Sequence, residues 1–165
     1  MVTQKVLISA CLLGENVKYD GGNNFLDHPV VKKWKTLGLV VPVCPEVAGG
    51  LTIPRPGAEI VSGYSGKDVI SGSGKVMTIE SVDVTSKFIK GANVALTLVK
   101  QHGIKLAILK ARSPSCGNYQ IYDGTHSNTK VDGEGVTTAL LHQSGVRVFN
   151  ETELADAEKY WSALL

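Results

Sequence analysis

The sequence predicts an α/β fold, a single three-layer Rossmann-like domain over residues 1–165 with a mainly parallel sheet and small hairpin insertions. Three observations lead there. Short apolar runs at 5–12, 39–43, 105–109 and 146–149 alternate with stretches of helical period, the pattern of strands joined by right-handed helical crossovers. A chain of 165 residues buries roughly 70% of the surface its unfolded form exposes, enough for one core without staples. No repeat, linker or low-complexity segment divides it.

Taken in order, residues 5–12 form the first strand, which ends in Gly14. Residues 16–24 suit a loop, because Gly21, Gly22, Asn23 and Asn24 tolerate turn geometry. Val30, Val31, Trp34 and Leu37 define a short amphipathic helix over 28–37, with Asp27 as N-cap and Gly38 as its stop. The second strand, 39–43, delivers Cys44-Pro45-Glu46. The Gly- and Pro-rich stretch 48–65 reads as a long ordered loop, which inside a compact domain usually serves function. Two apolar segments around Gly72-Ser73-Gly74 predict a hairpin over 69–78.

Val84, Phe88, Ile89, Ala92, Ala95, Leu96 and Val99 set the longest helix, 82–102, closed by Gly103. Strand 105–109 runs into Lys110-Ala111-Arg112 and a sharp turn, where Pro114 drives Ser113 into extended geometry and Gly117 permits positive φ. Residues 121–131 form an irregular or hairpin insertion with Asp123-Gly124 as its turn. A helix opens at Val136 and ends near Ser144-Gly145. Residues 146–149 are a short strand, and 151–165 a terminal helix capped by Asn150 or Thr152.

Seventeen basic residues balance fifteen acidic ones, so no electrostatic footprint for duplex nucleic acid exists, while a small anionic ligand remains compatible. The first five residues carry no signal-peptide pattern, and no apolar run nears the roughly eighteen residues of a membrane span. The expected compartment is the cytoplasm, where thiols stay reduced. No membrane partner is expected, and nothing in the pattern specifies an oligomeric state.

Three cysteines are an odd number, which excludes a complete disulfide framework. Cys11, Cys44 and Cys116 each follow an apolar strand. In open α/β sheets ligands bind beyond the carboxyl ends of strands at a topological switch point, so three thiols with that address point to a ligand set. Iron-sulfur clusters are held by thiolates, usually four. Three would leave one iron without a protein ligand, open to substrate as a Lewis acid. Zinc is the competing occupant, but the deaminase pattern H-x-E with P-C-x-x-C is absent. His28, His102, His126 and His142 do not adjoin a cysteine and read as helix or loop surface residues. The plainer alternative is three small buried hydrophobes.

The blocks Ser9-Ala10-Cys11-Leu12-Leu13-Gly14, Lys18-Tyr19-Asp20-Gly21, Cys44-Pro45-Glu46-Val47-Ala48-Gly49-Gly50-Leu51, Pro54-Arg55-Pro56, Ala58-Glu59 and Ser113-Pro114-Ser115-Cys116-Gly117 together resemble the thiouracil desulfidases, the TudS family. The resemblance runs from the first strand to the helix near Leu141. It implies a [4Fe-4S] cluster bound by Cys11, Cys44 and Cys116. It also implies non-redox removal of sulfur from thiouracil or a thiolated uridine nucleotide, giving the uracil compound and hydrosulfide. A glutamate and a serine assist in that family, and they fall on Glu46 and on Ser113 rather than Ser115, which adjoins the ligand. Two departures bear on substrate preference: Gly57 stands in place of a second proline, and His126 in place of an aromatic in the insertion.

The expected mechanism has the exocyclic sulfur bound at the open iron, water attacking the ring carbon, Glu46 as general base and Ser113 orienting the water or the developing anion. Tyr19, Asn24, Arg55, Lys110 and Arg112 are the expected substrate contacts, with Lys18 and Asn23 beside them; Arg and Lys suit a nucleotide phosphate. The plainer readings make Glu46 a solvated loop carboxylate or a partner of Arg55, or give Arg55 a structural partner in Glu59 in place of a substrate. Two other classes compete. A thiol enzyme using Cys116 as nucleophile would need a base or resolving thiol, and no C-x-x-C exists. A non-enzymatic metal or cluster-binding sensor would carry a partner-binding or DNA-binding module, and no such pattern is visible.

Overall fold

The computed structural model describes residues 3–165. Met1 and Val2, which belong to the N-terminal stretch read for a signal peptide, lie outside the described residues. Four short strands, β1 (Val6–Ser9), β2 (Val40–Val43), β5 (Leu106–Ile108) and β8 (Arg147–Phe149), form one parallel sheet in the order β2-β1-β5-β8. Val6 pairs with both Val40 and Leu106, and Leu106 with Arg147. β1 and β5 are buried along their whole length, as expected of parallel strands covered on both faces. Pro42, which has no N–H to give a ladder, sits on the edge strand β2.

Period-2 alternation divides the core into two layers. Val6, Ile8, Leu106, Ile108 and Phe149 face α1 (Pro29–Thr36) and α6 (Leu154–Ala163), where they meet Trp34, Leu154 and Trp161. Leu7, Val41, Val43, Ala107 and Val148 face α4 (Thr85–His102) and α5 (Val136–Gln143), where they meet Ala95, Val99 and Leu141. The three-layer α/β domain with a parallel sheet is therefore as expected. No helix of the described residues is long and apolar enough to cross a membrane.

Two antiparallel ribbons pack over one end of the sheet. One is β3 (Ala58–Ile60) with β4 (Val76–Thr78), the other β6 (Gln120–Tyr122) with β7 (Lys130–Asp132). The expected hairpin over 69–78 is not formed. Val69 and Ile70 lie in α3 (Gly66–Ser71), and Val76 pairs with Ile60 instead. The physical reason is a capping box at Ser65-Gly66-Lys67-Asp68: the Asp68 carboxylate accepts the Ser65 backbone N–H at 2.8 Å and starts a helix that Gly72 ends. The stretch 48–65 consequently contains a strand. The insertion at 121–131 is a hairpin, with residues 123–129 as its loop.

Caps account for the other boundary differences. His28, not Asp27, caps α1, because its Nδ1 accepts the Val30 N–H at 3.1 Å, while Asp27 pairs with Lys32 at 2.8 Å. Asp83 accepts the Thr85 N–H and starts α4 three residues later than its apolar period suggests. Asn150 Oδ1 accepts the Thr152 N–H, and α6 begins at Leu154.

A short helix, α2 (Pro45–Ala48), follows β2 directly. Two glycines seat it on α4. A Cβ on Gly91 would lie 1.9 Å from the Pro45 carbonyl oxygen, and one on Gly49 would lie 2.0 Å from that of Lys87. Only glycine at both positions lets the two backbones approach so closely.

Candidate active site

Each thiol is delivered by a different device at the carboxyl end of a strand. Cys11 lies in a 3-10 turn, Ala10–Leu13, that follows β1 and is closed by Gly14 at φ 92°. Cys44 follows β2 as the N-cap of α2 and precedes Pro45 at that helix's first position, where proline's fixed φ suits a helix start. Cys116 follows β5 in a turn held by the start of α5: the N–H groups of Val136 and Thr137 donate to the carbonyls of Pro114 and Ser115 at 2.9 Å each, and Thr138 Oγ1 donates to that of Cys116 at 2.8 Å. The orphan donors of a helix N-terminus are thus spent on fixing the cysteine turn. β1 lies between β2 and β5, so the chain winds away from it in both directions, and the three thiols surround the switch point.

All three cysteines are free and line one cavity of about 600 Å³. Glu46, Ser113, Tyr19, Asn24, Arg55, Lys110 and Arg112 line it too. Among the described residues, no three His, Cys, Asp or Glu side chains are grouped closely enough to hold a single metal ion. Three cysteine thiols around one cavity are the soft donors that an iron-sulfur cluster takes. Burial pushes all three thiols above their ordinary range, Cys116 most. A nucleophilic cysteine needs the reverse, and a metal-bound thiol is deprotonated by the metal itself.

Glu46, on the first turn of α2, has a side chain only 18% exposed. Arg55 Nε donates to its Oε1 at 3.1 Å, and the Ser113 hydroxyl approaches its Oε2 at 3.5 Å. Burial raises its carboxyl above the usual carboxylate range; Arg55 and Ser113 pull against that without overturning it. Ser113 Oγ also accepts the N–H groups of Ser115 and Cys116 at 3.1 Å each. With its lone pairs engaged by the turn, its proton is free for Glu46. Ser115 is buried and exchanges a 2.8 Å hydrogen bond with Thr137, which gives it a place in the packing of the turn.

Several residues take up different contacts from those expected. The Arg55 side chain, 5% exposed, braces the site: Nη1 donates to Thr52 O at 3.1 Å and Nη2 to Val17 O at 2.9 Å, besides the bond to Glu46. Of the two carboxylates weighed as partners of Arg55, Glu46 takes the role and Glu59 does not. Glu59 instead accepts the N–H groups of Gly124 and His126 and lies 3.6 Å from His126 Nδ1. Lys110 pairs with Glu151 at 2.7 Å. Asn24 Nδ2 donates to Cys11 Sγ at 3.4 Å. Tyr19 and Arg112 are exposed at the rim, Arg112 with φ 68°, a left-handed conformation that costs a non-glycine residue of order 1–3 kcal/mol. Asn23 stays in its own loop, bonded to Asn16.

Sequence reasoning missed the far wall of the cavity, which Glu59, Ile79, Tyr122, His126 and Asn128 supply from the two ribbons. It grouped His126 with the surface histidines, but the resemblance singled it out with Gly57 as bearing on substrate preference, and both line the site, His126 in a left-handed conformation, φ 55°. Ser9 was also missed, and its position two residues before Cys11 on a buried strand was the available signal.

The model of the 2-thiouracil desulfurase family matches residues 6–153. Over 151 residues the chain is 41% identical to an uncharacterized protein of Bacillus subtilis (strain 168), YbbK, covering 92% of this chain and 98% of that one. A solved structure described as the [4Fe-4S]-dependent thiouracil desulfidase TudS is 40% identical, superposes with a TM-score of 0.88, and covers 98% of this chain and 99% of its own.

Proposed function

The chain belongs to the 2-thiouracil desulfurase family, and on that premise we propose that it is a [4Fe-4S]-dependent desulfidase that removes the sulfur of a small thiouracil compound. One observation carries the reading: three free thiols from three strand ends and a buried carboxylate share one cavity. Cys11, Cys44 and Cys116 would hold the cluster. When bound, it supplies a thiophilic, Lewis-acidic iron without a protein ligand.

The reaction is proposed to be hydrolytic. The oxygen of water bonds to the ring carbon, the carbon-sulfur bond breaks, and sulfur leaves with the bonding pair as hydrosulfide, so no net electron transfer occurs. Glu46 takes the proton of the attacking water and passes it to the departing sulfur. Its raised affinity for a proton suits a base that must hold one between the two steps. Arg55 and Ser113 fix the two oxygens of that carboxylate, which keeps the base in one orientation as the charge on it changes. Lys110, Arg112 and Tyr19 offer contacts to the rest of the substrate. The cavity of about 600 Å³ is shared by the cluster and a small thiouracil compound. Three unpaired thiols suit the reducing cytoplasm.

The test is anaerobic reconstitution followed by incubation with 2-thiouracil, 4-thiouracil and their ribonucleotides in oxygen-18 water. Expected are a brown protein with about four irons and four sulfides per chain, sulfide release, and one heavy oxygen in the uracil product. Glu46→Gln is expected to lose roughly 10²–10⁴-fold in kcat with the cluster retained. Activity from a colourless protein would refute the cluster, and an unlabelled product would refute the hydrolytic route.

A further inference from the structure

Two of the three thiols have a side-chain donor of their own. Asn24 Nδ2 lies 3.4 Å from Cys11 Sγ, and Ser9 Oγ lies 3.6 Å from Cys116 Sγ. Both donors are fixed in place. The backbone N–H of Asn24 donates to the carbonyl of Cys11 at 2.9 Å, so its loop is stitched to the thiol's own residue. Ser9 is 2% exposed, and its oxygen accepts the Lys110 N–H at 3.0 Å, which leaves its proton for the sulfur. Cys44 differs in having no side-chain donor: its thiol lies 3.9 Å from the Val17 carbonyl oxygen and meets the backbone N–H of Val47.

We propose that Asn24 and Ser9 are positioning residues for the cluster, which withdraw charge from the thiolates of Cys11 and Cys116 and so keep the open iron electrophilic. The inference rests on the cluster reading above. A doubly positive core with three thiolates is anionic overall, and it would sit in a cavity that also holds the Glu46 carboxylate. Each N–H···S or O–H···S bond draws electron density off a ligand sulfur, lowers the cost of burying that charge and weakens the sulfur's donation to iron. Both donors act on ligands of the two central strands, β1 and β5. Asn24 thereby becomes a partner of the ligand instead of a contact to substrate.

The test uses the reconstituted holoprotein. Asn24→Leu keeps the side chain's size and removes its donor. Expected are a lower midpoint potential for cluster reduction, followed by electron paramagnetic resonance, and iron loss to a chelator faster by roughly tenfold or more; kcat falls while KM holds. Asn24→Asp, which adds a negative charge, moves the potential further the same way. Ser9→Ala shifts it in the same direction, and a thermal melt of the metal-free chain separates that effect from the loss of the Lys110 N–H acceptor. Unchanged potential and chelation rate in Asn24→Leu, with a KM raised about tenfold, would overturn the proposal and make Asn24 a substrate contact. A wild-type chain that assembles no cluster would sink this inference together with the proposed function, whereas a normal wild-type cluster with silent variants sinks this inference alone.

Discussion

Gly91→Ala tests whether α2 is seated on α4 closely enough to place Glu46, the proposed base. In an exposed helix interior this substitution stabilises by about 1 kcal/mol, the propensity deficit of glycine. Here the new Cβ would lie 1.9 Å from the Pro45 carbonyl oxygen, whereas a carbon-oxygen contact relaxes to roughly 3.3 Å. The two backbones would have to part by about 1.4 Å, the difference between those two distances. The reciprocal approach of Gly49 to Lys87 blocks an easy roll of α2. Overpacking of this kind costs up to about 3 kcal/mol, so the net effect is a destabilisation of about 2 kcal/mol. Pro45 stands between Cys44 and Glu46, and a displacement of about 1 Å at a reacting group costs on the order of 10²-fold in rate. Urea denaturation of the reduced, metal-free chain measures the first effect, and sulfide release per loaded cluster the second. A variant that is stabilised by about 1 kcal/mol, as propensity alone requires, and turns over normally would refute the seating of α2.

Other outcomes follow from the hydrogen bonds. Ser113→Ala leaves the Ser115 and Cys116 N–H groups without their acceptor and is expected to impair both cluster retention and turnover, whereas Ser115→Ala costs about 1–3 kcal/mol through Thr137 yet leaves turnover per cluster within about threefold of normal; iron content and kcat measured on both variants check this. Burial would raise the carboxyl of Glu151, but Lys110 and the Ala111 N–H hold it below the usual range. Its contribution to stability is therefore complete above its unfolded pKa, roughly 4.3, and is lost as pH falls through the lower folded value. Urea midpoints between pH 3 and 7 are expected to fall less steeply toward acid in Glu151→Gln than in the unmodified chain. Asp68→Ala removes the capping box of α3 and is expected to cost about 1 kcal/mol in urea without changing kcat; an unchanged midpoint would argue against a helix at that position.

Read alone, the residues determined the layout. Fully apolar runs such as Val6-Leu7-Ile8 can only be buried on both faces, which calls for a parallel sheet with helices above and below, and a cysteine after each of three such runs must then lie at one edge. The tertiary structure decided which polar group meets which. Asn24 with Cys11, Ser9 with Cys116, Glu46 with Arg55, and Glu59 with the His126 loop are matched by the way loops from separate crossovers fold over that edge. It also decided that Val76 pairs with Ile60 while Val69 turns helical, because a capping box and the burial of a distant strand outweighed the local hairpin pattern. Periodicity is a property of neighbours in the chain, while a hydrogen bond between residues 9 and 116 depends on how the whole sheet is wound.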